Sequence, residues 1–401
     1  MQPDDAPARL PPRLLILNHF AGLGGAEFDL INSIDALTDW FDVRVAVPGP
    51  GPLIDAMRDA GVTVFDQPVG AARISYHRLQ HMRGVFQLLR GFTGYTTTLR
   101  REYRAWSPQV IVVNSLKSAI YGQALAIVLR RPWVWHIHDR LERGYLSRLA
   151  VVLLRALAAV GPRAIIVKAE GSRLLLPRRA QRKTTVVGSP IELERFEAIA
   201  AARRPRTEGA VRVAVVGRLT HIKGQHLVVE ALAKAAQTHD IELVLIGGDF
   251  TQEGNQQQQI AAGAERWGVA DRVEFTGHVD IVDKLLLDID MVVSFPIHPE
   301  PFGQVIIQAM AAQVPLVAAD EGGPAEVIES GINGVLVPAR DVTALAAAMC
   351  RLADDPALGV RLATAAAHTA RAFAPDVITP QLVGVLMRAT LGATPGRGHR
   401  G

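Results

Sequence analysis

Cysteine is almost absent from this 401-residue chain. Cys350 stands alone, so no internal disulfide can form, and a reducing compartment is expected. Its helical neighbourhood, Leu345 to Leu352, marks it as a packed thiol and not a nucleophile. Long apolar runs are missing too. The most hydrophobic window, Leu146 to Val160, is broken by Arg148 and Arg155 and is too short to span a bilayer, so no transmembrane helix is expected. The N-terminus, MQPDDAPARLPPR, has acids and prolines where a secretory signal has a basic start and an apolar core, and a cytoplasmic protein is expected. Aromatic residues amount to 5%, and no interleaved basic and aromatic motif speaks for nucleic acid. Metal-site patterns are equally thin. His77 and His81 have no third ligand near them in sequence. Asp288-Ile289-Asp290 precedes a strand, whereas ligands in parallel sheets lie beyond strand ends. The expectation is no metal.

What the chain has is apolar residues, 49% of the total, and enough length for two α/β domains of roughly 150–200 residues each. Charge is unevenly spread: residues 1–205 carry 28 basic against 17 acidic side chains and residues 206–401 carry 15 against 22, or +11 and −7. A basic first half suits an anionic membrane surface or an anionic acceptor, with arginine-flanked helices near 83–104 and 141–156 as the contact.

Short apolar runs alternate with amphipathic stretches, the pattern of parallel sheets covered by helices. Strands are expected in the first half at Arg13 to Leu17, Val43 to Val47, Val62 to Phe65, Val110 to Val113, Trp133 to His136, Ala164 to Val167 and Thr184 to Val187. The second half has Arg212 to Val216, Ile241 to Ile246, Val273 to Phe275, Met291 to Phe295, Pro315 to Ala318 and Gly334 to Val337. The expected organisation is a disordered tail at 1–11, a first domain at 12–195, a linker at 196–210 and a second domain at 211–372. A C-terminal helix at 373–390, crossing back to the first domain, and a disordered tail at 391–401 complete it.

Each motif that could carry chemistry follows a strand. After Met291 to Phe295 come Glu300-Pro301-Phe302-Gly303 and an apolar helix starting near Gln304, a place where a carboxylate and unpaired backbone amides can hold sugar hydroxyls and a phosphate. After Pro315 to Ala318 come Glu321-Gly322-Gly323-Pro324-Ala325-Glu326, whose glycines allow close backbone approach and whose proline starts a helix. Glu326 in that first turn suits either a ligand or the helix dipole. Arg218 and Lys223 follow Arg212 to Val216 and could neutralise a diphosphate. In the first half, Gly22-Leu23-Gly24-Gly25-Ala26-Glu27 follows a strand but lacks the glycine spacing of a dinucleotide site.

In order and spacing these residues, with Phe275-Thr276-Gly277-His278-Val279, Ala309-Met310-Ala311 and Gly331-Ile332-Asn333-Gly334, resemble the retaining glycosyltransferases called group 1 or family 4. The resemblance covers nearly the whole chain. It implies the α/β GT-B architecture, two Rossmann-like domains with parallel sheets facing across a cleft. It also implies roles. Glu300 would contact donor-sugar hydroxyls with the backbone of Phe302 and Gly303, Arg218 and Lys223 would hold the diphosphate, and Gly24 and Gly25 would approach it. Gly322, Gly323 and Glu326 would line the donor. His138, in Trp135-His136-Ile137-His138-Asp139, would be the active-site histidine near the donor sugar, while Val279 and Lys284 would take the nucleobase. The chain departs from the pattern at Gln308, where the family usually has a glutamate for the ribose hydroxyls. An uncharged amide there weakens ribose contact by about 1 kcal/mol. A lesser departure is Gly188-Ser189-Pro190 in place of the usual Asn-Gly.

The implied reaction is metal-independent transfer of a hexose, with retention, from a nucleotide-diphosphate sugar to a glycan, lipid-linked or small-molecule acceptor, in cell-surface polysaccharide or glycolipid synthesis. No cofactor is expected beyond that co-substrate, and a peripheral position on the inner face of the membrane fits the basic first half. The alternatives are a GT-B phosphorylase, a nucleotide-sugar epimerase, and a catalytically weak nucleotide-sugar-binding protein.

Overall fold

A computed structural model describes residues 10–66, 103, 105–143, 146–203, 209–249, 255–277, 279 and 286–391. The chain divides into two units. One comprises the chain to Lys168, Ser172–Val187 and the stretch from Thr379; the other comprises Ala169–Gly171 and Gly188–Ile378.

In the first unit, β1 (Arg13–Leu17), β2 (Asp42–Val47), β3 (Thr63–Asp66), β4 (Val110–Val113), β5 (Trp133–Ile137), β6 (Ala164–Val167) and β7 (Thr184–Val186) form one parallel sheet. The order is β3-β2-β1-β4-β5-β6-β7. β4 and β5 are buried along their whole length, which is why they read as unbroken apolar runs. Their side chains pack with Leu15, Leu17 and Ile165 and with the helices Leu116–Leu129 and Arg148–Val160. Each of these helices starts at a serine whose hydroxyl accepts a backbone N–H, Ser118 to Ser115 at 3.1 Å and Ala150 to Ser147 at 3.3 Å. Strand order reverses between β1 and β4, the position at which open parallel sheets take ligands. Asn18 and Asn114 directly follow those two strands.

The second unit repeats the plan. Its strands are β8 (Val211–Val216), β9 (Ile241–Ile246), β10 (Val273–Gly277), β11 (Met291–Ser294), β12 (Leu316–Ala319) and β13 (Val335–Val337), all parallel, in the order β10-β9-β8-β11-β12-β13. Here the reversal lies between β8 and β11. One side of the sheet packs on the helices Gln225–Ala235 and Val342–Asp354, the other on Gln304–Ala311 and Pro356–Ala370.

Residues 196–210, expected as a linker, begin inside the helix Leu193–Ala202, whose Phe196 and Ile199 are buried in the core of the second unit. The change of unit falls between Val187 and Gly188. Apolar residues three apart on a helix give it a face to bury, and the alanine-rich composition conceals this in the sequence. Residues 204–208, His77, His81, the stretch near 83–102 and both ends of the chain (1–9 and 392–401) lie outside the described residues. The C-terminal helix runs Pro375–Leu391, and from Thr379 it groups with the first unit. Asp290 accepts the backbone N–H of Arg212 at 2.9 Å, a structural role before β11. Burial raises the Cys350 thiol above its usual range, which suits an inert thiol.

Candidate active site

In the second unit the site grows from the ends of β8 and β11. Gly217 leaves β8 at φ 143°, and Arg218 beside it is exposed, with no ion pair to any described residue. The single turn His221–Lys223 closes at Gly224, φ 72°, where a Cβ would stand 2.0 Å from the Phe295 carbonyl oxygen. Only glycine fits there. The turn is thereby held against the end of β11, and the Lys223 ammonium meets the Glu300 carboxylate, 3.1 Å from Oε2 and closer to Oε1. A cation and a carboxylate, 77 residues apart in sequence, thus share one spot at the switch point of the sheet.

Glu300 is fixed by its neighbours. Its carbonyl accepts the Gly323 N–H at 2.8 Å, and a Cβ on Gly322, φ 70°, would be 2.4 Å from that carbonyl oxygen. A Cβ on Gly323 would be 2.5 Å from Phe302 Cα, so the two loops after β11 and β12 touch through backbone. Phe302 is buried and meets Phe373 edge-on at 5.4 Å, anchoring the turn from which Gly303 (φ 85°) starts the helix Gln304–Ala311. The first amides of that helix have no partner within it and carry its positive end. Gln308, one turn further on, is half-buried, and its backbone carbonyl accepts the Ala312 N–H at 2.9 Å. Gln304 Nε2 is buried with no described partner.

Glu326 is placed differently from the donor-facing expectation. Both its oxygens accept backbone N–H groups, from Glu170 and Gly171 at 2.6 Å each, residues that group with this unit. Reaching a ligand would cost it both bonds. Val279, expected at the nucleobase, packs half-buried against the apolar core that includes Val292 and Ile306. Lys284 lies outside the described residues.

In the first unit, Gly24 and Gly25 open the helix Gly25–Thr38. Glu27 is buried beneath this turn and accepts from Asn18 Nδ2 at 3.0 Å, which ties the turn to the end of β1. His138, half-buried just past β5, places Nε2 2.8 Å from Asn114 Oδ1. Its ring lies 4.1 Å from that of His136, whose Nε2 stands 3.7 Å from Asp29 Oδ2 and has no described hydrogen-bond partner. Lys168, at the end of β6 and buried, donates to Asp29 Oδ1 at 2.7 Å. Asp29, Asn114 and His136 border a cavity of about 20 Å³, room for about one water molecule, with Leu382 and Leu386 as apolar wall. Burial holds His138 down at about 3; Asp29 opposes this and Lys168 adds to it. His136 is pushed well below the usual imidazole range by burial, by Lys168 and by His138.

Asp29, His136 and His138 bring potential metal-ligand atoms within 4.8 Å of one another. The donor set does not suit an ion, because the Lys168 ammonium holds Asp29 and Asn114 takes His138 Nε2. A cation there would face another cation.

Residues 181–369, which contain the whole Lys223 and Glu300 site, match the family described as Glycosyl transferases group 1. This stretch is similar to the group 1 glycosyltransferases. Over 275 residues, 66% of this chain, it is 34% identical to a glycogen synthase of Mycobacterium tuberculosis, of which it covers 64%. A D-inositol 3-phosphate glycosyltransferase of Geodermatophilus obscurus is 34% identical over 182 residues, 42% of this chain and 40% of that protein. The chain therefore spans less than two thirds of the length of these curated relatives. Among solved structures, Anabaena HepE in complex with UDP and glucose superposes at a TM-score of 0.80 with 24% identity, over 94% of this chain and 99% of that one. Sucrose-phosphate synthase from Thermosynechococcus elongatus gives 0.78 with 20% identity, over 96% and 100%. These two likenesses establish the GT-B glycosyltransferase fold across both units.

Sequence reasoning missed Asp29, Asn114 and Lys168. Two signals were present: an aspartate on the apolar face of a helix, two residues after the Gly-Gly-Ala-Glu motif, and a lysine ending the run Ala-Ile-Ile-Val-Lys. Neither is expected in a core unless paired.

Proposed function

We propose that the protein is a retaining, metal-independent glycosyltransferase that moves a hexose from a nucleotide-diphosphate sugar to a glycan or lipid-linked acceptor. The observation that carries this reading is the Lys223–Glu300 pair beside the helix start at Gly303. Glu300 would accept hydrogen bonds from donor-sugar hydroxyls. Lys223, Arg218 and the first amides of the helix would stabilise charge growing on the departing diphosphate, the work a divalent ion does in other designs. His138 would meet the donor sugar, and the leaving phosphate would take the acceptor's proton as the new bond forms on the same face. Nothing beyond the co-substrate is needed on this reading. The test is a donor screen that starts with UDP-glucose, the ligand of a second HepE complex, and runs through GDP- and ADP-sugars with a panel of glycan and lipid-linked acceptors. Release of nucleoside diphosphate matched by an α-linked product, unchanged in EDTA, is expected. A folded protein that neither transfers sugar nor gains thermal stability from any donor would overturn it. Consumption of donor by inorganic phosphate alone would point to a phosphorylase, and interconversion of nucleotide sugars to an epimerase.

An acceptor held at a membrane is favoured by the helix Arg148–Val160. Leu149, Val152, Leu153 and Val160 are 59–70% exposed on it, it contains no acidic residue, and residues 115–163 hold eight Lys and Arg against two Asp and Glu. An apolar stripe among arginines suits an anionic lipid surface, with contribution from cell-surface polysaccharide or glycolipid synthesis on the inner face. No described helix is long and apolar enough to cross a membrane. Flotation with phosphatidylglycerol vesicles at low salt is expected for the unaltered protein and lost in Leu153→Glu. Equal flotation of both would refute the membrane contact.

A further inference from the structure

We propose that Asn114 is a positioning residue that locks His138 as its Nε2–H tautomer, so that Nδ1 carries the lone pair and the ring offers an acceptor, never a cation, to its substrate. The direction of each bond follows from chemistry. The carbonyl oxygen of Ala26 can only accept, and Asn114 Nδ2 stands 3.4 Å from it. That fixes the orientation of the amide, since the flipped side chain would set two oxygens against each other. Asn114 Oδ1 is then the atom that faces His138 Nε2 at 2.8 Å, and because Oδ1 can only accept, Nε2 must be the protonated nitrogen. The Asn114 backbone is itself held, its N–H donating to the Leu17 carbonyl at 2.9 Å, so the end of β1 and the start of the Gly25–Thr38 helix clamp the asparagine from two sides.

The surroundings refuse a second proton. Behind the ring lies His136, and behind that the buried Asp29 and Lys168. Asp29 stands 3.7 Å from His136 Nε2, and its charge is matched by Lys168 at 2.7 Å. An imidazolium at His138 would face an ion pair of no net charge at the cost of desolvation. Burying a lysine and an aspartate is expensive unless they are paired, and here Lys168 both pairs Asp29 and opposes the proton that Asp29 would draw onto His138. A neutral acceptor nitrogen can bind a sugar hydroxyl and gives no charge attraction to phosphate. The functional half of this inference rests on the placing of His138 at the donor sugar; the tautomer does not.

The test is a long-range ¹⁵N–¹H correlation spectrum of the full chain labelled in histidine, with His138 assigned by the signals lost in His138→Gln. From about pH 5 to about pH 8 it should show a protonated Nε2 and an unprotonated Nδ1. The opposite tautomer, or an imidazolium in that range, overturns the proposal. Asn114→Asp places a carboxylate on Nε2 and should give a doubly protonated His138 in the same spectrum. In that variant kcat should fall by about 10- to 100-fold with KM little changed, and the thermal midpoint should be nearly kept. Wild-type kcat in Asn114→Asp despite a charged His138 would refute the positioning role. Were the unaltered protein to transfer no sugar to any acceptor, the reading of its activity would fail and the spectrum would still decide the tautomer.

Discussion

On the proposed reading Lys223 and Glu300 would present opposite charges to different parts of a nucleotide sugar, and each substitution should therefore fail in its own way. Glu300→Gln keeps the shape and removes the charge. If the carboxylate holds sugar hydroxyls, losing a charge-assisted bond should cost about 2 kcal/mol, or about 30-fold in kcat/KM, with the melting temperature nearly unchanged. Steady-state kinetics with the best donor reads this directly, and a change of less than threefold would place Glu300 outside the site. The buried cluster of the first unit answers to a different substitution. Lys168→Met removes the ammonium from Asp29 and leaves a buried carboxylate 3.7 Å from His136 Nε2. The carboxylate will then draw a proton onto that ring, raising His136 from well below the usual imidazole range into the range that histidine NMR titration follows. An unmoved His136 would mean that Lys168 has no electrostatic hold on it.

At the scale of elements, the glycines after β12 separate two costs that are often confused. Gly322 and Gly331 both have positive φ, 70° and 84°, but a Cβ at Gly331 meets nothing within 4 Å, whereas at Gly322 it lands 2.4 Å from a backbone oxygen. Gly331→Ala should cost only the left-handed conformation, about 1 kcal/mol. Gly322→Ala adds a clash that must push the Glu300 loop away, about 3 kcal/mol in all, and should abolish transfer. Thermal melts of the two variants side by side check the difference. The strands themselves were legible from the chain. All thirteen apolar runs became strands, their ends within two residues, because parallel strands covered on both faces leave no polar alternation to confuse the reading. The helix Leu193–Ala202 was not seen as part of a packed unit, since alanines carry little pattern. Long-range partnerships were hidden for a stronger reason. Lys223 and Glu300 are 77 residues apart, Asp29 and Lys168 139, and Glu326 and Gly171 155, and no local spacing encodes such a pairing. What showed locally was the kind of residue at each strand end; what the residue holds depends on which strands are neighbours.

For the whole molecule, three histidines, His136 buried and His19 and His138 half-buried, make stability depend on pH. His19 is held at about 4 by burial and by Lys117, His138 at about 3, and His136 lower than usual for the reasons above. In the unfolded chain each takes a proton near about 6.5. Below that pH the unfolded chain binds protons the folded one refuses. Stability is therefore full above about pH 6.5 and falls as pH drops toward the folded values, by up to about 1.4 kcal/mol per pH unit for each histidine. Urea midpoints at pH 7, 6 and 5 should decline in that order, and the decline should shrink in His19→Gln. A midpoint that rose on acidification would contradict the burial of these rings.

The wall formed by Leu382 and Leu386 has a consequence for synthesis. The sheet of the first unit is encoded by Val186, yet part of its packing comes from the helix that starts at Pro375. A ribosome adding about 5–20 residues per second needs about 10–40 s to travel between these points. During that interval the nascent first unit must keep the floor beneath Ile16 and Val112 uncovered, while the second unit, whose sheet lies between Val211 and Val337, can fold without waiting. The domain made first is thus the one finished last.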